Sequence, residues 1–354
     1  MEAQQQTAIA EFVARQSGAD QVEVAAVNKL SGGAIQENWA MDFIIHKPEQ
    51  REQLQTVLRC DAPSGVTASH SREQEYALLA AAHAVGVAVP RPLWLGHPEV
   101  FGRSFFIMER VSGTAAGHEI VKQMRWGGDR QRLTQTIGEQ MAKLHGIRLQ
   151  DAAENHPSLA FLPVPHGSPI QQFLLESQDY LATHHTPFPA LEWGIRWLLI
   201  NELELLPLVL THRDFRTGNY MVDEQGLTAV LDWEFAAWSD PREDLGWFCA
   251  KCWRFGRDDL PAGGIGTRQD LLAGYQRISG VAISPEELHY WELLAHVRWA
   301  MIAIQQGERH VSGQEPSLEL ALTAHIVPEL EWEILSMTGM ANPQILESDY
   351  ARTT

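Results

Sequence analysis

The sequence predicts an α+β protein of two lobes, an antiparallel-sheet lobe followed by a mainly helical one. Three observations predict it. The first third of the chain carries successive runs in which apolar and polar residues alternate, the period of half-buried strands. From about Leu133 the prevailing period becomes helical, interrupted only by short strand-like runs. The change falls near Glu109–Gly113, and strands gathered ahead of helices favour two bodies over one mixed sheet. The chain has 354 residues, 45% of them apolar, enough for one large domain or two modest ones.

Taken in order, Gln4–Gln16 has helical periodicity, and Gly18 supplies a stop. Val22–Leu30, Trp39–Ile45 and Leu54–Arg59 read as strands, with Ser31-Gly32-Gly33 as a turn between the first two. Asp61–Ser69, with Pro63 and Gly65, reads as a loop. Ser71–Val85 reads as a helix ended by Gly86 and Pro90, and Arg103–Val111 as a strand stopped by Ser112-Gly113. Further helices are expected over Leu133–His145, Pro169–Thr183 and Leu191–Leu205. Short strands are expected over Leu208–Thr211, Tyr220–Val222 and Thr228–Leu231. Most segments from Arg242 onward are expected to be helical, with a packing arm or tail from about Ser336.

Acidic residues number 45 against 27 basic, for a formal net charge of -18. Such a chain is unsuited to non-specific nucleic-acid binding or to an anionic membrane surface, yet it can still hold phosphates in a locally basic pocket. The longest mostly apolar run, about Ala77–Val89, is too short to span a bilayer and contains His83. The start, MEAQQQTAIAEF, lacks the basic and apolar regions of a secretory leader. With Cys60, Cys249 and Cys252 as the only cysteines, a disulfide framework is not expected, and a soluble cytoplasmic protein is.

The strongest local signal is LTHRDFRTGNYMVD, residues 210–223. It holds His212-Arg213-Asp214 and, five positions after the aspartate, Asn219, the H-R-D-x-x-x-x-N spacing of a kinase catalytic loop. An aspartate at the start of such a loop can orient an attacking hydroxyl and accept its proton. An asparagine five residues on can turn its amide oxygen to a magnesium ion. Thirteen residues after Asn219, the apolar strand LTAVL delivers Asp232, followed by Trp233-Glu234. A hard cation takes oxygen ligands, and Asp232 with Asn219 would supply two. The plainer readings are a polar turn between strands and a strand-end aspartate that caps the next segment.

HRDFRTGNYMVD followed by VLDWEFAAWSDPREDLGWF resembles the aminoglycoside phosphotransferase family of small-molecule kinases, which are similar to protein kinases. The family wording is close to H-G-D-x-x-x-x-N, then I/L-D-W-E, then G-D-P-x-x-D-L-A. Here Arg213 and Ser239 stand where glycine is commoner, and Asp240, Pro241 and Asp244 fit the last element. The segment RCDAPSG, residues 59–65, resembles with one extra residue the V-L-R-x-x-P-x-G of a branch that includes the kinase-like part of acyl-CoA dehydrogenase fusion proteins. The matches run from about residue 25 to residue 310.

This resemblance implies a two-lobed protein-kinase-like fold, with residues 1–112 as the nucleotide-binding lobe. Residues 113–354 would form the lobe with the catalytic loop and acceptor site. It implies ATP or GTP with Mg2+ as cosubstrate and metal, and a small-molecule hydroxyl as acceptor. Asp214 would be catalytic, and Asn219 and Asp232 would hold the metal. The turn Gly32-Gly33 would approach the phosphates and Arg59 would grip them, with Arg in place of the usual Lys. Glu75 in QEY, ahead of GVAVP, would pair with Arg59. Glu73 is the competitor, two residues away and so on another helix face. The backbone of Glu109 and Val111 would bind adenine, with Met108 near the base. Asn38 falls where the family often has asparagine, and Asp244 would be a structural acid.

An aminoglycoside, a sugar, an amino alcohol or a hydroxyacyl compound all remain open as acceptor. Glu202 and Glu204 are positioned for a cationic one, whereas the Arg59 branch suggests a hydroxyacyl compound. The rival readings are a catalytically idle nucleotide-binding homologue and a protein kinase. Absence of G-x-G-x-x-G, D-F-G and A-P-E wording speaks against the latter. Cys249-x-x-Cys252 has no second pair and lies in a helical stretch, so neither zinc nor redox chemistry is expected. Trp193, Trp197, Trp291 and Trp299 fall at helical spacing and read as core. The sequence carries no indication of oligomeric state.

Overall fold

A computed structural model describes residues 1–30, 36–48, 50–61 and 70–340. The expected Ser31-Gly32-Gly33 turn, most of the loop after Asp61 and the chain after Met340 lie outside them. By contacts the chain forms two compact units. The first comprises Met1–Asp129, Gln150–Leu162 and Gly218–Ala236. The second comprises Arg130–Leu149, Pro163–Thr217 and Ala237–Thr354.

The first unit is built on a five-stranded antiparallel sheet in the order β1-β2-β3-β5-β4. Its strands are β1 (Gln21–Leu30), β2 (Gln36–Lys47), β3 (Gln50–Asp61), β4 (Pro92–Gly96) and β5 (Phe105–Glu109). Alternation makes one sheet face apolar, and helix α1 (Ala3–Ser17) covers it. Ile9, Phe12 and Val13 of α1 pack with Met41, Phe43, Leu58, Phe105 and Ile107. Gly18 ends α1 in the left-handed conformation, φ 64°, which glycine adopts without a Cβ penalty. Helix α2 (Arg72–Ala84) starts at Ser71, whose hydroxyl accepts the N–H of Gln74 while the Gln74 side chain returns to Ser71, a reciprocal cap. The short helices α3 (Pro98–Phe101) and α4 (Gly117–Lys122) follow the sheet strands. Strands β7 (Tyr220–Val222) and β8 (Leu227–Val230) form an antiparallel hairpin.

The second unit contains α5 (Arg130–Leu144), α7 (Pro169–Thr183), α8 (Pro189–Ile200), α9 (Arg242–Cys249), α10 (Arg268–Ser279), α11 (Pro285–Val311), α12 (Leu318–Ala324) and α13 (Val327–Met337), with β6 (Val209–Thr211) paired to β9 (Ala237–Ser239). Helix α6 (Leu149–Asn155) lies where the chain returns to the first unit. Helix α11 is the axis of this unit's core. Leu293, Leu294, Val297, Met301 and Ile304 pack with Leu174, Leu191, Ile195, Leu198, Leu330 and Ile334. Ser284 and Glu287 close a capping box at its start.

The expected elements over the described residues are found, with boundary shifts and several differences, among them the short helices α3, α4 and α6, which were not expected. Helix α8 stops at Ile200 rather than continuing to Leu205, because Asn201 leaves the helical conformation and its amide returns to the Trp197 carbonyl at 2.8 Å. Strands β4 and β9 were not expected. Each is at most five residues long and is held by antiparallel pairing, β4 with the next strand β5 and β9 with the more distant β6. The expected helical stretch Asp244–Arg254 breaks at Ala250, whose ψ is 141°, before a single 3-10 turn.

Helices α5 and α10 approach through glycines. A Cβ at Gly274 would lie 2.0 Å from the Gln135 carbonyl oxygen, and one at Gly138 would lie 2.2 Å from that of Leu271. Gly→Ala in an open helix gains roughly 1 kcal/mol. At Gly274 the backbone obstacle reverses the sign. Gly274→Ala is expected to cost about 1–3 kcal/mol, read as a lower urea midpoint at unchanged slope.

Candidate active site

In the first unit, β3 carries Arg59 in register with Asn38 of β2 on one side and Phe106 of β5 on the other. Arg59 is buried, yet its charge is matched. Its Nε lies 2.8 Å from Glu75 Oε1 and its Nη2 lies 3.1 Å from Asp232 Oδ1. Burial alone would lower the pKa of this guanidinium, but Glu75, Asp232 and Glu234 together hold it above its ordinary value. Of the two candidate acids on α2, Glu75 is buried against Arg59 and Glu73 is exposed.

Glu75 has a second partner that sequence reasoning missed. Arg72, three residues earlier on the same helix face, ion-pairs through Nη1 with Glu75 Oε2. Arg72 Nε also reaches Asp61 Oδ1 at 3.0 Å, and its Nη2 donates to the His70 carbonyl at 2.9 Å. Glu75 is therefore clamped between two guanidinium groups. A basic residue in the first turn beside an acid at i+3 was the available signal.

The β7–β8 hairpin brings Asn219 and Asp232 to one end despite their separation in sequence. Asn219 precedes β7 and Asp232 follows β8, so antiparallel pairing returns both to one end. The Leu231 N–H donates to the Asn219 carbonyl at 2.8 Å. Asn219 is buried, and Asp232 is partly exposed at φ 59°, a left-handed conformation that aspartate tolerates better than most side chains. Burial, reinforced by Asp232, pushes the Glu234 carboxyl up to about 7. The Asn38 side-chain oxygen, in register with Arg59, is buried with no hydrogen-bond partner among the described residues. At the end of β5, the Glu109 N–H is used by the Arg91 carbonyl at 2.9 Å, and Met108 pairs with Val57 and Pro92. Val111 follows β5, outside the strand. Gly32 and Gly33 lie outside the described residues.

In the second unit, β6 leads into His212-Arg213-Asp214. Asp244, fully buried on α9, organises this turn. One oxygen accepts the Arg213 N–H at 2.8 Å. The other accepts the His212 N–H at 2.8 Å and lies 3.0 Å from His145 Nε2. His145 Nδ1 lies 3.1 Å from the Tyr275 hydroxyl. Burial alone would raise the Asp244 pKa, but the His145 contact and charge and the His212 N–H hold it below its ordinary value. Arg213 adopts φ 62°, and its Nε lies 3.2 Å from Glu243, which also receives Arg298 at 2.9 Å. Asp214 Oδ1 accepts the Trp247 indole N–H at 2.9 Å and Arg216 Nε at 3.2 Å. Cys249 and Cys252 are free thiols whose pKa values burial drives well up. Glu202 and Glu204 are both exposed.

Asp244→Asn removes the charge and leaves one acceptor oxygen for several donors. The expected cost at neutral pH is about 3 kcal/mol. Because the folded pKa is depressed, the stabilisation is present above the ordinary value of 3.8 and is lost as pH falls through the folded pKa. Urea titrations of both proteins should therefore show a constant gap above that value and a narrowing one below it.

Comparison with known proteins bears on this arrangement. The acyl-CoA dehydrogenase family member 11 of Pongo abelii is 27% identical over 297 residues, which cover 77% of this chain and 36% of that protein. The chain thus spans about a third of the length of the curated relatives it matches. Among solved structures, a Ralstonia eutropha protein provisionally named an aminoglycoside phosphotransferase aligns with TM-score 0.68 and 20% identity, over 93% of this chain and 98% of that one. Spectinomycin phosphotransferase, solved with ADP and spectinomycin, aligns with TM-score 0.58 and 12% identity, over 94% and 98% of the two chains. These neighbours share the two-lobed kinase-like fold. Residues 27–281 match the family described as the phosphotransferase enzyme family, APH, and the chain belongs to that family.

Proposed function

We propose that the protein is a phosphotransferase that moves the γ-phosphoryl group of ATP, with Mg2+, to the hydroxyl of a small molecule. The observation that carries this reading is the buried Arg59, fixed between Glu75 at 2.8 Å and the candidate metal ligand Asp232 at 3.1 Å. A cation held in this way is suited to phosphate oxygens, and arginine offers them a planar fork of donors. Spectinomycin phosphotransferase has been solved with ADP, which supports a nucleotide as donor here.

In this reading Asp214 orients the acceptor hydroxyl and takes its proton, with its carboxylate steadied by Trp247. The oxygens of Asn219 and Asp232 would hold the metal. They suit a hard cation, which when bound neutralises charge on the phosphates. The Gly32-Gly33 turn, Asn38 and Arg59 would line the phosphates, and the backbone of Glu109 and Val111 would take adenine. Residues 1–112 would form the nucleotide lobe and residues 113–354 the catalytic and acceptor lobe. Among the described residues no helix is long and apolar enough to cross a membrane. We place the protein in the cytosol, where ATP is abundant and the free thiols stay reduced.

Thermal unfolding with and without Mg-ATP tests the nucleotide site. At a hundredfold excess over the dissociation constant, the ligand should add about 2.7 kcal/mol to wild type. Asp232→Asn should shrink that gain. Asp214→Asn should keep it and yet lose turnover by at least about a hundredfold, measured as ADP release with a hydroxylated acceptor found by screening. Wild-type turnover in both variants would sink the assignment.

A further inference from the structure

Two guanidinium groups beside Asp214 share one carboxylate oxygen. Glu243 Oε1 lies 3.2 Å from Arg213 Nε and 2.9 Å from Arg298 Nη1. In a chain of formal net charge -18, two cations here meet a single carboxylate. Glu139 and Glu292 also take two arginines each, but Arg132, Arg277 and Arg268 in those groups are exposed, and water solvates them. Arg298 is only 12% exposed and lies over the Trp247 ring, 4.7 Å from its centroid. Burial, and then Arg213, draws it down to about 10 in spite of Glu243, Asp214 and Asp244. Arg213 is half-buried and stands at φ 62°, where glycine would avoid the left-handed penalty. Among the described residues the remaining side-chain donors of both arginines meet no acceptor. Two planar forks with surplus positive charge suit an oxyanion, a carboxylate or a phosphate.

We propose that Arg213 and Arg298 form an anion subsite for the acceptor, which carries a carboxylate or phosphate group besides its reacting hydroxyl. The inference rests on the phosphotransferase reading and names the substrate class of that site. Asp214 follows Arg213 directly, and its Oδ1 accepts the Trp247 indole N–H at 2.9 Å. Trp247 thus gives its edge to Asp214 and its face to Arg298. The anchor for the hydroxyl and the anchor for the anion meet at one indole, so a short molecule can span them. Arg59, Asn219 and Asp232, which would hold the nucleotide phosphates and metal, are residues of the first unit, whereas Arg213 and Arg298 belong to the second. An oxyanion on the two arginines completes the neutralisation that Glu243 alone leaves unfinished and replaces the solvation that Arg298 has lost. The same surplus charge repels a cationic acceptor, the kind that Glu202 and Glu204 would suit.

Thermal unfolding of wild type, Arg213→Gly and Arg213→Lys, all saturated with Mg-AMP-PNP, is followed as glycerate, glycerol phosphate or glycerol is added at constant ionic strength. The two acids separate a carboxylate from a phosphate, and glycerol is the neutral control. At least one acid should raise the wild-type midpoint where glycerol does not. Arg213→Gly should lose about tenfold or more in affinity for that acid. Arg213→Lys, which keeps the charge without the fork, should fall between. Glycine is at ease at φ 62°, and the shift caused by Mg-AMP-PNP reports whether each variant is folded. Should Arg213→Gly not fold, Arg213→Lys carries the comparison. Equal responses of wild type and the variants, or a wild type that answers glycerol as well as the acids, would overturn the proposal. So would a wild type that answers neither acid. An acid that binds through Arg213 yet gains no phosphoryl group from Mg-ATP would overturn the acceptor role. A wild type without a Mg-AMP-PNP shift would instead overturn the phosphotransferase reading, and the acids would still report on the arginine pair.

Discussion

The first unit depends on one buried cation. Arg59 retains 8% of its surface, and moving a guanidinium out of water is costly unless carboxylates and hydrogen bonds replace the lost solvation. Glu75 from α2 and Asp232 from the end of β8 supply that replacement, so the sheet, the helix and the hairpin are tied at one point. The tie is directional. Glu75 is itself held by Arg72, which leaves it little freedom to follow Arg59 if the latter moves. Asp232 is different, because it is partly exposed and meets Arg59 through Nη2 at 3.1 Å. The Arg59–Asp232 contact is thus independent of the Arg72–Glu75 clamp, which holds Glu75 whether or not Asp232 stays on Arg59.

The second unit solves a related problem with the opposite charge. Asp244 is an anion with no exposed surface, and its donors are two consecutive backbone N–H groups and a histidine. Backbone donors cannot rotate away, so the carboxylate dictates the path of the chain at His212 and Arg213. That path includes a left-handed residue. At φ 62°, Arg213 carries a strain of roughly 1–2 kcal/mol that glycine would avoid. The Asp244 bond to its N–H and the Glu243 contact with its side chain offset that cost. The glycine commoner at this position in the family thus has a conformational reason, and arginine occupies it here because Glu243 is there to receive it.

Much of this was legible in the sequence, for reasons that differ by element. The strands of the large sheet declared themselves through their apolar runs: α1 covers one face, and α2 packs on the other over β3 and β5, where Val57 and Phe106 are also buried. Strand β4 did not, since Pro92-Leu-Trp-Leu-Gly96 has no alternation and owes its conformation to β5. The overextension of α8 has a similar origin. Leu203 and Leu205 continue an apolar pattern that the core uses without a helix. Glu75 is preferred over Glu73 from its place in QEY ahead of GVAVP, and the helix that starts at the Ser71 cap turns Arg72 and Glu75 to the same side. Arg72 was missed although its i+3 spacing from Glu75 was a signal, because a buried arginine looks like a surface one until its carboxylates are located.

The same limit applies around Asp214, and it shows what a motif conveys. A spacing such as H-R-D-x-x-x-x-N specifies which groups can act, but not which groups steady them. Trp247 lies 33 residues beyond Asp214 and gives its indole N–H to the carboxylate. That indole is also stacked under Arg298 at 4.7 Å, and burial with the nearby Arg213 draws Arg298 down to about 10, still charged at neutral pH. Arg298 in turn reaches Glu243, which holds Arg213. The loop is thus closed on itself through side chains from α9 and α11, each within contact of the next. The orientation of the Asp214 carboxylate is thus settled by packing, and under the proposed function precise orientation is what a reaction with little covalent chemistry for the protein to perform would require.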